Sequence, residues 1–142
     1  MTDCPICAKH VGTGPLAGAE VWRDDLVVVG HAPPERAYLG NLYVETRRHA
    51  PYLDDLTDAE ATAVGLTVRT AAAALRASLD LEHVFSAVVG RAIPHFHQHL
   101  IPRYRGTPDS LPWHASDEWE GATHGGWDEV RAMIERLRPY FA

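Results

Sequence analysis

The run Ile93-Pro94-His95-Phe96-His97-Gln98-His99-Leu100-Ile101-Pro102-Arg103 carries a histidine at every second position three times over. Period two belongs to the β-strand, so an extended chain here sets His95, His97 and His99 on one side and Phe96, Gln98 and Leu100 on the other. Successive rings then stand roughly 6.5 Å apart, close enough for neighbours to share one phosphate or one metal ion, while the outer two cannot easily meet. Such a ladder implies at least two separate tasks.

A chain of 142 residues, 46% of them hydrophobic, is sized for one core, and the reading is a single domain over 1–142. Val21-Trp22-Arg23 and Leu26 to His31 read as two strands of a hairpin with Asp24-Asp25 as its turn. Ala32-Pro33-Pro34-Glu35-Arg36 is a loop, because consecutive prolines break a ladder. A third strand is expected from Tyr38 to Thr46, leading into Arg47-Arg48-His49. Thr57 with Glu60 three residues on is a capping box, and Ala61, Val64, Val68, Ala72, Leu75 and Leu79 follow at helical steps as one buried stripe. Glu82 to Gly90 reads as a fourth strand, Gly90 to Pro94 as a turn, and the histidine run as a fifth strand. Tyr104 to Gly126 shows no periodicity, and a last helix spans Trp127 to Leu137 on the stripe Trp127, Val130, Ile134 and Leu137, ended by Pro139. The expected fold is α+β: a five-stranded antiparallel sheet, one long helix packed on it, and a C-terminal helix after a tail that starts at 105.

Thirteen basic against nineteen acidic residues give a formal charge of −6, which argues against a nucleic-acid groove while leaving room for a small anion held locally by His and Arg. Met1-Thr2-Asp3-Cys4 shows no basic segment followed by an apolar one, and no run is long and apolar enough to span a bilayer, so no membrane association and a cytoplasmic location are expected. Val11 to Gly18 is glycine-rich but lacks the Gly-Lys-Ser/Thr ending of a phosphate loop and reads as a connector. Cys4-Pro5-Ile6-Cys7 holds both cysteines of the chain. Two thiolates at this spacing form half of a tetrahedral zinc site, and with no third cysteine the nine histidines must supply the rest. The alternative is a pair of free thiols near the N-terminus.

The motif His-Phe-His-Gln-His-Leu-Ile-Pro-Arg resembles the signature of the histidine triad family, whose members bind nucleotides and act as nucleotide hydrolases or transferases. The strand ending in Arg-Arg-His, the Leu-Asp-Asp-Leu-Thr step into the long helix, and the closing Ile-Pro-Arg-Tyr extend the likeness over Cys4 to Tyr104. A zinc-bearing branch of that family opens with Cys-x-x-Cys. The resemblance therefore implies a structural zinc on Cys4, Cys7, His49 and His95, which ties residues 1–18 to the domain. It also implies a homodimer and a small nucleotide or nucleotide conjugate as substrate.

His97 and His99 are then left for chemistry. A neutral imidazole with one nitrogen fixed as donor and the other bare is a competent nucleophile toward phosphorus. By resemblance His97 attacks the α-phosphate to form a nucleotidyl-histidine, and His99 donates to a non-bridging oxygen. Two positions depart from the family pattern: Gln98 stands where an apolar residue is usual, and Ser86-Ala87-Val88-Val89 lacks the Asn and Gln-Ser/Thr phosphate donors. Arg91 is the candidate replacement for those donors, and His31 the candidate contact to the nucleoside. His-x-His on a strand is also how β-barrel enzymes hold a catalytic metal, and a nucleotide sensor without turnover is a third reading. His10, His83, His114 and His124 read as surface or loop residues, Arg103 as a solvent-facing or structural ion pair and not a catalytic group, and Trp113 and Trp119 as packing or as a border of the ligand pocket.

Overall fold

A computed structural model describes residues 3–35 and 37–141, and the described residues form seven strands and three α-helices, together with short 3-10 turns. Arg36, the end of the expected proline loop, and Met1 and Thr2 of the N-terminal reading lie outside the described residues. In order, the elements are α1 (Pro5–His10), β1 (Glu20–Arg23), β2 (Val27–His31), β3 (Ala37–Tyr38), β4 (Leu42–Thr46), α2 (Asp58–Ser78), β5 (Leu81–Val88), β6 (His97–Tyr104), β7 (His124–Gly125) and α3 (Trp127–Leu137). Five strands form one antiparallel sheet in the order β1-β2-β4-β6-β5, as expected, and β3 pairs with β7 in a separate two-stranded ribbon. No helix among the described residues is long and apolar enough to cross a membrane.

Register decides what each face of the sheet carries. Leu42 pairs with Leu100 and Val44 with both Val29 and Gln98, so Val27, Val29, Leu42, Val44 and Leu100 share the face that packs on α2 and α3. On the opposite face Tyr43 pairs with His99 and Glu45 with His97, one step from the core yet turned away from it. The N-terminal segment lies over that second face, fastened by the Lys9–Glu45 ion pair and by a hydrogen bond from His10 Nε2–H to Glu45.

Four sequence expectations change. The expected third strand is broken into β3 and β4, because the chain turns at Gly40 with φ +94°, a conformation that suits glycine; an added Cβ would also stand 3.0 Å from Leu79 and 3.1 Å from Pro102. His95 is not on the strand: it lies in the bend before β6, where its own N–H bonds Ile93 and the Phe96 N–H bonds the Ala50 carbonyl. The ladder thus has two rungs, His97 and His99, with the first ring free to point elsewhere. The buried face of α2 is Glu60, Val64, Thr67, Ala71, Ala74 and Leu75, rotated from the expected stripe so that Ala61 is exposed; small alanines let the helix approach the sheet. In the tail, β7 supplies a strand that two residues of sequence could not signal, and Trp127 is exposed under a stacked Arg131 while Met133 takes a core position.

The helix start does match. Thr57 Oγ1 accepts from the Glu60 N–H at 3.1 Å and the Thr57 N–H donates to Glu60 Oε1 at 2.9 Å. The same buried carboxylate takes two hydrogen bonds from Arg48, at 3.0 and 2.8 Å, and so clamps the chain just before His49 onto α2. Arg48 together with the Thr57 N–H holds the Glu60 carboxyl down to about 2 from an ordinary 4.5, although burial opposes ionisation. A depressed carboxylate stabilises the fold fully above its unfolded value and ceases to do so as pH falls through its folded value. Glu60→Gln is therefore expected to cost about 2 kcal/mol at pH 6, and the gap to the parent to close between pH 4.5 and pH 2 in urea melts. A gap independent of pH over that window would contradict the assignment.

Candidate metal centre and active site

Cys4 caps the first turn of α1, and its Sγ accepts the Cys7 N–H at 3.4 Å, which turns both sulfurs toward one point. His49 arrives from the end of β4 and His95 from the bend before β6. The four donor atoms lie within 4.8 Å of one another, with Cys4 Sγ to His95 Nδ1, Cys7 Sγ to His49 Nδ1 and Cys7 Sγ to His95 Nδ1 each at 3.4 Å. Tetrahedral zinc with Zn–S near 2.3 Å and Zn–N near 2.0 Å requires S···N edges of about 3.5 Å. The residues fit that ion. His95, fully buried, donates Nε2–H to the Thr46 carbonyl at 2.7 Å, which fixes the tautomer with Nδ1 bare for the metal. Burial pushes the His95 imidazole down to about 4, so the ring is neutral and ready to ligate at pH 7. Burial and the neighbouring Cys4 push the Cys7 thiol up, a tendency that a divalent cation reverses.

His97 and His99 stand next to this centre and apart from it. The His97 Nδ1–H donates to the His95 carbonyl at 2.7 Å; a carbonyl can only accept, so Nε2 is left with its lone pair. The rings of His97 and His99 are 5.2 Å apart at an angle of 60°, and Tyr43 meets both edge-on, at 6.2 and 5.0 Å. Burial, then the nearby His97, lowers the pKa of His99 and keeps it neutral. Both rings line a cavity of about 140 Å³ whose other walls include Ile6, Lys9, Tyr43 and Glu45.

The remaining sequence candidates are placed differently. His31 lines the cavity, but its Nε2 accepts from the Gly40 N–H and its Nδ1–H donates to the Ala32 carbonyl, both at 2.9 Å, so no polar atom of the ring is left for a nucleoside. Arg91 is exposed on the loop after β5 and is not among the cavity-lining residues. Neither Trp113 nor Trp119 lines it. Gln98 settles its polar group at the edge: Nε2 donates to Ser86 Oγ at 3.0 Å, and that hydroxyl donates to the His99 carbonyl at 2.7 Å, bracing the strand beside the second histidine. Arg103 is structural, spreading over the carbonyls of Leu111 and Pro108 and the Ser116 hydroxyl.

Sequence reasoning missed Glu45, Lys9 and His10. Glu45 is 1% exposed, with Oε2 2.5 Å from Lys9 Nζ and Oε1 2.8 Å from His10 Nε2. Burial alone would raise this carboxyl; the His10 hydrogen bond and the Lys9 ammonium outweigh it and hold it below the usual range. One acidic residue inside the strand Leu42-Tyr43-Val44-Glu45-Thr46, and a Lys-His pair two residues after Cys7, were the available signals.

No protein-family model and no curated protein matches the chain. Among solved structures, a hypothetical histidine triad nucleotide-binding protein from Sulfolobus tokodaii superposes with a TM-score of 0.74 at 16% identity, over 96% of this chain and 91% of that one. A zinc-bound histidine triad family protein from Mycobacterium smegmatis does so at 0.70 and 21%, over 98% and 93%. A histidine triad protein from Bradyrhizobium japonicum gives 0.70 and 20%, over 87% and 90%. The chain therefore has the fold of the histidine triad proteins, with a Cys4-Cys7-His49-His95 group built to hold a structural zinc beside it.

Proposed function

We propose that this chain is a nucleotide-binding enzyme, a hydrolase or nucleotidyltransferase that acts at an α-phosphate through a covalent intermediate on His97. The observation that carries the reading is the His97 Nδ1–H to His95 carbonyl bond, which leaves Nε2 as the one basic nitrogen of that ring facing chemistry. Nε2 attacks phosphorus, the bond to the leaving group breaks, and the leaving group departs with that bond's electron pair and takes up a proton from solvent. Water or an acceptor hydroxyl then attacks the phosphorus and gives up its proton to solvent, and the electron pair of the phosphorus–nitrogen bond returns to His97. His99, neutral and 5.2 Å away, offers one N–H to a non-bridging oxygen as charge grows there. When bound, zinc supplies structure: it fixes the His95 carbonyl that in turn orients His97. A single domain working as a cytoplasmic homodimer completes the proposal.

The reading in which His97 and His99 are themselves metal ligands lacks support, because no third His, Cys, Asp or Glu joins them in a ligating group among the described residues. Intact mass spectrometry after rapid quench with an adenosine or guanosine phosphoramidate tests the proposal: an acid-labile adduct of one nucleoside monophosphate on His97 is expected. Binding without adduct and without product would leave a nucleotide sensor in its place.

A further inference from the structure

The proposed phosphoryl chemistry makes no use of the Lys9–Glu45–His10 cluster, three polar side chains packed against the cavity wall with 12%, 1% and 7% of their side chains exposed. Glu45 is the residue directly opposite His97 across β4 and β6, so the cluster stands one strand over from the nucleophile. Its carboxylate is fully engaged, one oxygen on each partner. Lys9 is not. An ammonium has three protons; one serves Glu45, while Nζ lies over the Tyr43 ring at 5.7 Å, and Lys9 is one of the residues that line the cavity. Gly30 has no side chain beneath it, and an added Cβ would sit 3.6 Å from Nζ.

What such a donor recognises follows from its charge balance. A carboxylate 2.5 Å away cancels the ammonium at longer range. A phosphate, which needs net positive charge, gains little from a neutral pair, whereas a neutral acceptor gains a hydrogen bond to a charged donor without desolvating an anion. Apart from its polar groups, the cavity that Lys9 lines is walled by the apolar Ile6, Leu16, Pro33 and Ile93, surfaces that suit a ring.

We propose that Lys9, held by Glu45, selects nucleotides whose base carries an exocyclic carbonyl oxygen, a 6-oxopurine before a 6-aminopurine. This rests on the nucleotide reading above and adds to it a base preference. In the same pose the amino group of adenine turns a donor toward a donor, and a site built to satisfy one partner rejects the analogue that leaves it unpaired. Position matters as much as charge: Lys9 follows Cys7 by two residues on α1, so the metal centre that fixes the helix also fixes the ammonium.

Calorimetry on the zinc-loaded full chain with GMP, IMP, AMP and inorganic phosphate tests it. GMP and IMP are expected to bind roughly tenfold tighter than AMP, one hydrogen bond to a charged donor. In Lys9→Met that preference is expected to vanish with AMP affinity retained, and in Lys9→Arg to persist. Equal affinity of the parent for GMP and AMP overturns the proposal with no variant needed. So does a uniform loss of GMP, AMP and phosphate binding in Lys9→Met, which would make Lys9 a phosphate ligand. Failure of the parent to bind any of the three nucleotides would instead remove the nucleotide reading on which this one stands.

Discussion

His97→Ala is expected to lower turnover at the α-phosphate by on the order of 10⁴-fold or more, with zinc content and melting temperature close to those of the parent. The size follows from the role: a nucleophile's loss removes the covalent route itself, and other groups cannot take over a bond they do not form. The preserved stability follows from the geometry. His97 is half-buried, its side chain's one hydrogen bond in the fold is to the His95 carbonyl, and it is not one of the four residues of the metal group. His99→Ala should cost less, about 10² to 10³-fold, because it withdraws one stabilising donor from the transition state and leaves the nucleophile in place. Single-turnover rates on both variants, with metal analysis of the same samples, check the pair. If His99→Ala proves the more damaging and His97→Ala retains turnover, the roles are wrongly assigned.

The features legible in the sequence share a cause: each was set by local spacing. Thr57 and Glu60 cap α2 because a box of that spacing satisfies two free N–H groups wherever it occurs. The alternation of His97 and His99 placed both rings on one face, and Cys-x-x-Cys announced half a metal site. Residues whose role depends on a distant partner were not legible. Glu45 becomes a buried carboxylate through α1, thirty-five residues upstream at His10. His31 looked available to a nucleoside until the Gly40 N–H, nine residues on, occupied its acceptor nitrogen. The most instructive miss is His95. Period two assigned it to the ladder, but the Phe96 N–H bonds the Ala50 carbonyl and β6 begins only at His97, two residues later, which releases the His95 ring toward the cysteines. The separation of His95 from His97 and His99 that the resemblance implied is made by a break before the strand, not along it.

Removing the metal should be the largest single perturbation to stability. Chelation at pH 7, or Cys7→Ser, is expected to lower the melting temperature by roughly 10 °C or more, since structural zinc in small domains contributes binding energy directly to folding. The loss should be uneven. The core between the sheet and α2 has no metal ligand in it, whereas α1 is held by Cys4, Cys7, the buried Ile6 and the two pairs to Glu45. Hydrogen exchange should therefore show residues 3–18 losing protection first, with α2 and β4 changed little. Acid should act in the same direction as chelator, because the thiolates and imidazoles must be free of protons to bind; His95, already neutral well below pH 7, delays that loss on one ligand only. Once α1 detaches, Glu45 loses both its partners and the segment that covers its face of the sheet. The consequence is a coupling: metal loss should degrade nucleotide binding through Lys9, Glu45 and the His95 carbonyl, whereas His97→Ala, which removes a bond to the His95 backbone and none to a ligating atom, should leave metal affinity intact. Full retention of both protection over 3–18 and nucleotide affinity in the chelated protein would refute the coupling.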